Sequence, residues 1–342
     1  MHPGRPLTAA CLLLAGLSAA GGCGKRMWVT RYPAFYSPQL RAVGVAAFRN
    51  RTDRRDAGVA FAEALRDALV ENGSYEVTGP ESLARLLKLR PGDVADLALD
   101  GLLARLRKVG GVQAIVRGNV KAFAAASHSY VWTDYGYGYG HGRGLYYRRY
   151  GPDLYYVTRL YTQNQAFVAV SAELVRVADG KVLARTPSEV GAKIYSDGDP
   201  PRLNPYECLA RAAGKAAADV VGQFAPVEVE VELDPKEALR TARGRSEGRW
   251  EPAEEFSTKD EAVHVAIALP AVCDRNRFRL EVRRQKKGPP LAVEEFVWSA
   301  ETPERAFTFD PAALVQKAGK GEFEIVFRSG EKAVFSRKIR IR

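Results

Sequence analysis

The sequence predicts a mixed α/β unit followed by an all-β sandwich. Between residues 41 and 224, short strand-type apolar runs alternate with segments of helical spacing. From residue 227 onward, period-2 runs separated by turn residues take over, and Pro226 stands at the change. A chain of 342 residues is long enough for two ordinary domains. Its 46% hydrophobic, 27% charged and 10% aromatic content excludes wholesale disorder. No run of about 18 apolar residues occurs, so no transmembrane helix is expected.

Residues 1–22 have the grammar of an export signal. Arg5 lies in a short polar start, residues 9–20 carry Leu12, Leu13, Leu14 and Leu17, and Ala20-Gly21-Gly22 lead into Cys23. The pattern resembles a bacterial lipoprotein signal, with Ala20 where that family most often has Leu. The resemblance implies cleavage before Cys23 and acylation of its thiol and new amine. Gly24, where an Asp would retain the protein at the inner membrane, implies an outer-membrane anchor with the folded part facing the periplasm. An ordinary secreted signal with an incidental Cys is the competing reading. Cleavage removes Cys11 and commits Cys23, leaving Cys208 and Cys273 in an oxidising compartment where they could pair. They fall in different predicted domains, which favours two buried free thiols.

Residues 23–40, with Trp28, Tyr32, Phe35 and Tyr36 but no period, read as a lipidated extended tether. The α/β domain spans 41–225. A strand at 42–48 ends in the turn residues Arg49-Asn50-Arg51-Thr52-Asp53. A helix at 59–71 places Phe61, Leu65 and Leu69 on one stripe and stops at Asn72-Gly73. A strand at 75–78 precedes a helix opened by Gly79-Pro80, with Pro at a first-turn position. Helical spacing resumes over 94–109, and strands follow at 112–123 and 166–177. The turn Ala178-Asp179-Gly180-Lys181 returns the chain as a strand over 182–195. A last helix at 205–224 carries Leu209, Ala212, Ala216, Val220 and Phe224 on one face. Together these give a mixed sheet with covering helices.

Three stretches of this domain resemble the CsgG/LpoB family, the curli-export and peptidoglycan-synthase-activator lipoproteins. The first is Val43-Gly44-Val45-Ala46-Ala47-Phe48-Arg49-Asn50-Arg51-Thr52 with the helix after it and Ser74-Tyr75-Glu76-Val77. The second is Gly110-Gly111-Val112-Gln113-Ala114-Ile115-Val116-Arg117-Gly118-Asn119-Val120. The third is Glu173-Leu174-Val175-Arg176-Val177-Ala178-Asp179-Gly180-Lys181-Val182-Leu183. They fall in order and cover a little over half the chain. The resemblance implies a protein that is not an enzyme and whose surfaces bind other proteins or build rings.

An insert at 127–161 interrupts the domain and holds ten of the fifteen Tyr residues, with Trp132 and interleaved Gly136, Gly138, Gly140, Gly142 and Gly144. Three readings stand. Rigid amphipathic Tyr rings suit a recognition surface. Val131, Thr133, Tyr135, Tyr137 and Tyr139 alternate as one side of a membrane-inserting hairpin, although Asp134, Arg148, Arg149 and Arg159 oppose burial in lipid. A low-complexity loop or hairpin is the third. For a contact surface the sequence singles out Tyr135, Tyr137, Tyr139, Tyr146 and Tyr147.

The module at 226–342 begins with the strict alternation Val227-Glu228-Val229-Glu230-Val231-Glu232-Leu233. A charged, loosely helical stretch is expected at 234–247. Further strands are expected at 263–269, 278–284, 293–298, 307–309, 323–327 and 333–341. Strands at this spacing suggest an antiparallel sandwich of the immunoglobulin-like kind.

Catalytic chemistry has no signature: HExxH, CxxC, GxSxG and P-loop patterns are all missing from the sequence. No cofactor or metal is expected. His128 and His141 read as loop residues, His264 as a sheet-face residue, and Asp93, Asp96 and Asp100 as one solvated acidic helix face. The net charge of +11 is spread among acids in both domains, which argues against a nucleic-acid partner. The expected partners are envelope proteins and, through the acyl anchor, the membrane, with homo-oligomerisation left open. The reading is a non-catalytic outer-membrane lipoprotein acting through protein–protein contacts in envelope assembly or export. The alternatives are a subunit of an oligomeric CsgG-like secretion channel and a lipopolysaccharide-assembly lipoprotein, whose early strand end Phe48-Arg49-Asn50-Arg51-Thr52 also resembles.

Overall fold

The computed structural model describes residues 25–138, 153–187, 189–198, 200–246, 249–284, 288–302 and 304–342. Two compact units emerge: Pro33–Val227, and residues 25–32 together with Glu228–Arg342. The tether is thus divided. Its first part is strand β1 (Lys25–Arg31), which pairs with a strand of the second unit and buries Met27 and Val29 in that unit's core. Its second part packs Phe35 and Leu40 on the core of the α/β unit.

In the α/β unit, β2 (Ala42–Val45) and β3 (Arg49–Asn50) are followed by α1 (Ala57–Asn72), β4 (Glu76–Thr78) and α2 (Pro80–Leu87). The expected single helix over 94–109 is two, α3 (Pro91–Asp96) and α4 (Leu99–Val109), because Leu97 and Ala98 adopt extended ψ angles near 140°. Then come β5 (Ala114–Gly138), β6 (Asp153–Arg176), β7 (Val182–Arg185), β8 (Val190–Gly198) and α5 (Pro205–Phe224). β4, β2 and β5 run parallel, whereas β6 is antiparallel to β5, β7 and β8. The mixed sheet is as expected, with the single return strand over 182–195 resolved into two.

Helices cover both faces. Phe61, Leu65 and Leu69 of α1 and Leu209, Ala212, Ala216 and Val220 of α5 pack on Val43, Val45, Val116 and Val168. Leu83 and Leu87 of α2 and Leu102, Leu103 and Leu106 of α4 pack on Ile115, Val175 and Val177. Double coverage explains why Ala114, Ile115 and Val116 are all buried, a continuous apolar run instead of an alternating one. Capping is local: Gly73 closes α1 in the left-handed region, and Asn204 and Glu207 form a reciprocal capping box on α5.

At Gly58, α1 meets the preceding loop backbone to backbone. The Phe48 N–H donates to the Gly58 carbonyl at 3.1 Å, and a Cβ on Gly58 would fall 2.1 Å from the Phe48 oxygen. Gly58→Ala should therefore destabilise the α/β unit by about 1–3 kcal/mol, the usual cost of overpacking. Denaturant unfolding followed by helical circular dichroism checks this; an unchanged midpoint would exclude the contact.

The second unit adds β9 (Val227–Leu233), α6 (Pro235–Ala238), β10 (Leu239–Ser246), β11 (Arg249–Pro252), β12 (Glu255–Phe256), β13 (Val263–Ala268), β14 (Arg277–Arg283), β15 (Ala292–Val297), β16 (Glu304–Phe309), α7 (Pro311–Ala318), β17 (Gly321–Ser329) and β18 (Lys332–Ile341). A four-stranded sheet, β11-β10-β13-β16, and a five-stranded sheet, β12-β18-β17-β14-β15, share one core. Phe296 of β15 meets Phe307 of β16 across it at 4.8 Å. Two sheets on one core are present, but β12 and β18 pair parallel in a set expected to be antiparallel, and most of the loosely helical stretch at 234–247 is strand. Only Pro235–Ala238 is helical there, capped by Asp234. β1 is held by Asn276, whose side chain donates to the Thr30 carbonyl at 2.7 Å and accepts from its N–H at 2.9 Å.

A candidate interaction site on the long hairpin

β5 and β6 continue far past the sheet that roots them. Their antiparallel register runs from Ala114↔Arg176 to Gly138↔Asp153, with one irregularity between Val120 and Ala122. β3 accompanies β5 only to Val120, and β8 accompanies β6 only to Thr162. The nine pairs from Tyr130↔Tyr161 to Gly138↔Asp153 therefore form a two-stranded ribbon among the described residues. At roughly 3.3 Å per residue it extends about 30 Å. The expected strand end at residue 123 is corrected: the first and last parts of the Tyr/Gly insert are strand.

At the ribbon's base, the Tyr130 and Tyr161 rings stack with centroids 5.9 Å apart. The Ser129 and Thr162 hydroxyls lie 3.3 Å apart, and the His128 ring nitrogen lies 2.9 Å from the Gln165 amide. His128 is thus a strand residue and not a loop residue. Val131 and Leu160 are 64% and 57% exposed although both are apolar, so water covers what a partner could cover.

Alternation and register together sort the ribbon's positions. Val131↔Leu160, Thr133↔Thr158, Tyr135↔Tyr156 and Tyr137↔Leu154 share one face, and none of the eight is ionisable at neutral pH. Trp132↔Arg159, Asp134↔Val157 and Gly138↔Asp153 share the other, with the charged positions. Tyr135 and Tyr137 stand on the uncharged face. Tyr139, Tyr146, Tyr147, His141, Arg148 and Arg149 lie outside the described residues, as does Cys23. The contribution of β6 to the uncharged face was missed in the sequence. Its signal was the alternation Leu154, Tyr156, Thr158, Leu160, legible only once paired.

The structure also places the other residues that the sequence singled out. Asp93 and Asp96 belong to α3 and Asp100 to α4, so they share no helix face; Asp93 instead accepts from the Arg90 N–H at 3.3 Å. His264 is a strand residue, 3.2 Å from the Thr308 hydroxyl. Cys208 and Cys273 are free and buried, in separate units. Burial raises both thiols, Cys273 to about 12, which leaves them protonated and poorly nucleophilic. No group of three or more His, Cys, Asp or Glu among the described residues could hold a metal ion. No helix among them is long and apolar enough to cross a membrane.

Fold and site define a two-unit protein, an α/β sheet with a projecting ribbon and a β-sandwich. No protein-family model matches the chain, and no curated protein matches it. Solved structures resemble it. PelC from Paraburkholderia phytofirmans, solved as a dodecamer, is 15% identical over 58% of this chain and 96% of its own, with a TM-score of 0.30. Lipoprotein GNA1162 from Neisseria meningitidis is 16% identical over 54% of this chain and 97% of its own, at 0.29. The C-terminal domain of LpoB from Salmonella enterica is 13% identical over 54% and 93%, at 0.25. At these scores the likenesses transfer no function to this chain, and the curli-export channel is not among these three.

Proposed function

We propose that this protein is a non-catalytic lipoprotein of the outer membrane, anchored through acylated Cys23, facing the periplasm and working by contact with other envelope proteins. The supporting observation is the ribbon: a two-stranded projection, unsupported by a third strand, with exposed Tyr130, Val131 and Leu160 at its root. An isolated two-stranded hairpin is marginal in water, so a projection of this length gains most by being covered. Tyr135, Tyr137, Tyr139, Tyr146 and Tyr147 are the contact residues in this reading. The sandwich, of immunoglobulin-like affiliation, serves as a binding or spacing module.

The uncharged face favours a second reading, a ring-forming pore subunit. A transmembrane strand needs about 9–11 residues and an outward face free of charge, and four same-face pairs of this ribbon carry no charged residue. Among the described residues no further strand pairs with either edge of the ribbon, which leaves both for neighbouring copies.

Crosslinked pull-down from cell envelopes, with the intact protein and with residues 130–161 deleted, tests the first reading. Loss of most crosslinked partners is expected; an unchanged partner set would retire the ribbon as the contact surface. Light scattering in detergent separates the two readings, because a monomer excludes the pore.

A further inference from the structure

The sheet face that carries α2 and α4 turns abruptly from apolar to charged. Along β5 and β6 the pair Ile115↔Val175 is sealed under the helices, whereas the next same-face pair is Arg117↔Glu173, followed by Asn119↔Ser171. Arg185 of β7 stands opposite Glu173. These residues and Arg49 line a cavity of about 220 Å³.

Its charges do not balance. Glu173 accepts from Arg185 Nε at 3.2 Å and stands 3.6 Å from Arg117 Nε, beyond hydrogen-bond reach. Arg117 Nη1 is shut off from solvent with no hydrogen-bond partner. Arg49 is pinned by backbone, donating from Nε to the Ala95 carbonyl at 3.0 Å and from Nη2 to the Asp96 carbonyl at 3.4 Å. Neither carbonyl neutralises its charge. Three guanidinium groups therefore face one carboxylate. Burial, followed by the like charge of Arg49, pushes the Arg117 guanidinium down despite Glu173 beside it. A buried donor without an acceptor costs stability unless something fills the place. The complement of a cavity lined by three guanidinium groups and one carboxylate is a compact oxyanion with several acceptor oxygens.

The geometry points to a binding site for a phosphate group in this cavity, free or as a monoester, with Arg185 as the charged donor, Asn119 and Ser171 as neutral ones, and the buried charge of Arg117 in the cavity wall behind them. The proposal is independent of the anchor at Cys23 and of the ribbon's role. Room beyond a bare phosphate makes a monoester, such as a lipid headgroup or a phosphorylated envelope polymer, an equal source.

The test is thermal unfolding of the full chain in sodium phosphate, in glycerol phosphate and in sodium chloride of matched ionic strength. Phosphate should raise the α/β transition in a saturable way, since a ligand of the folded state stabilises it by mass action. Tighter half-saturation by glycerol phosphate assigns the ester source; equal or weaker assigns the free ion. Arg117→Met should abolish the rise. Arg185→Gln, at an exposed position, should shift half-saturation about tenfold higher, as for one lost charge-assisted hydrogen bond. Lys215→Gln, exposed on α5, should change nothing. If Arg117→Met fails to fold, Arg185→Gln decides alone. An equal rise in chloride marks an adventitious ion only and overturns the site, as does a phosphate response that survives Arg185→Gln unaltered.

Discussion

Cys23→Ser is expected to move the protein from the membrane fraction to the soluble envelope fraction and to abolish palmitate labelling. One acyl chain of myristoyl length holds a protein only marginally, and two or more hold it firmly, each buried CH₂ contributing about 0.8 kcal/mol. Serine cannot form the thioether, so the anchor is lost outright and not merely weakened. The fold adds a consequence. β1 begins at Lys25, two residues beyond the anchor, and two residues reach at most about 7 Å. Since β1 is built into the β-sandwich unit, an acyl anchor at Cys23 would tie that unit directly to the bilayer. Fractionation with palmitate labelling is the measurement, and membrane retention of the serine variant would overturn the anchor.

Glu281→Ala is expected to destabilise the β-sandwich unit by about 3–5 kcal/mol, the usual cost of removing one partner from a buried ionic cluster. The Glu281 side chain is 2% exposed and lies among three guanidinium groups: Arg283 at 2.6 Å, Arg328 at 3.0 Å and Arg279 at 3.1 Å. Truncation removes the carboxylate that three clustered cations share, although Arg279 also lies 3.9 Å from Glu295. A loss of this size approaches the whole stability of a typical domain. In calorimetry of the intact chain, the sandwich transition should fall or vanish while the α/β transition stays in place. Because the cluster is buried, added salt should restore little. A sandwich transition that does not move would show that Glu281 is dispensable.

Local signals carried most of the architecture. Helix α5 was legible from its stripe of Leu209, Ala212, Ala216 and Val220, and its capping box sits in adjacent letters. The hairpin between β6 and β7 was legible from Asp179-Gly180, where Gly180 takes a φ of 73° and Asp179 accepts from the Lys181 N–H. Helix α7 was missed although Asp310, Pro311 and Gly319 bracket it, because its eight residues are too few to show a period beside neighbouring strands. The split between α3 and α4 was missed for the opposite reason: apolar residues continue at short intervals on both sides of a break made by backbone angles alone.

The candidate site was half legible. Tyr density marked the insert, and alternation on the first leg placed Tyr135 and Tyr137 on one side. Whether Asp134 and Arg159 oppose a membrane or partner face depended on which positions stand across from them, and only the register supplied that.

By itself, the sequence determined most elements of the α/β unit, the division near Pro226 and the lack of catalytic motifs, because periodicity, capping and turn chemistry act within a few residues. Tertiary structure decided what depends on distant partners. It bound β1 to Asn276, 246 positions away from Thr30, extended β5 and β6 into one ribbon, and brought Arg49, Arg117, Arg185 and Glu173 to the lining of one cavity. Pairing register and charge balance arise between segments, and no local pattern encodes them.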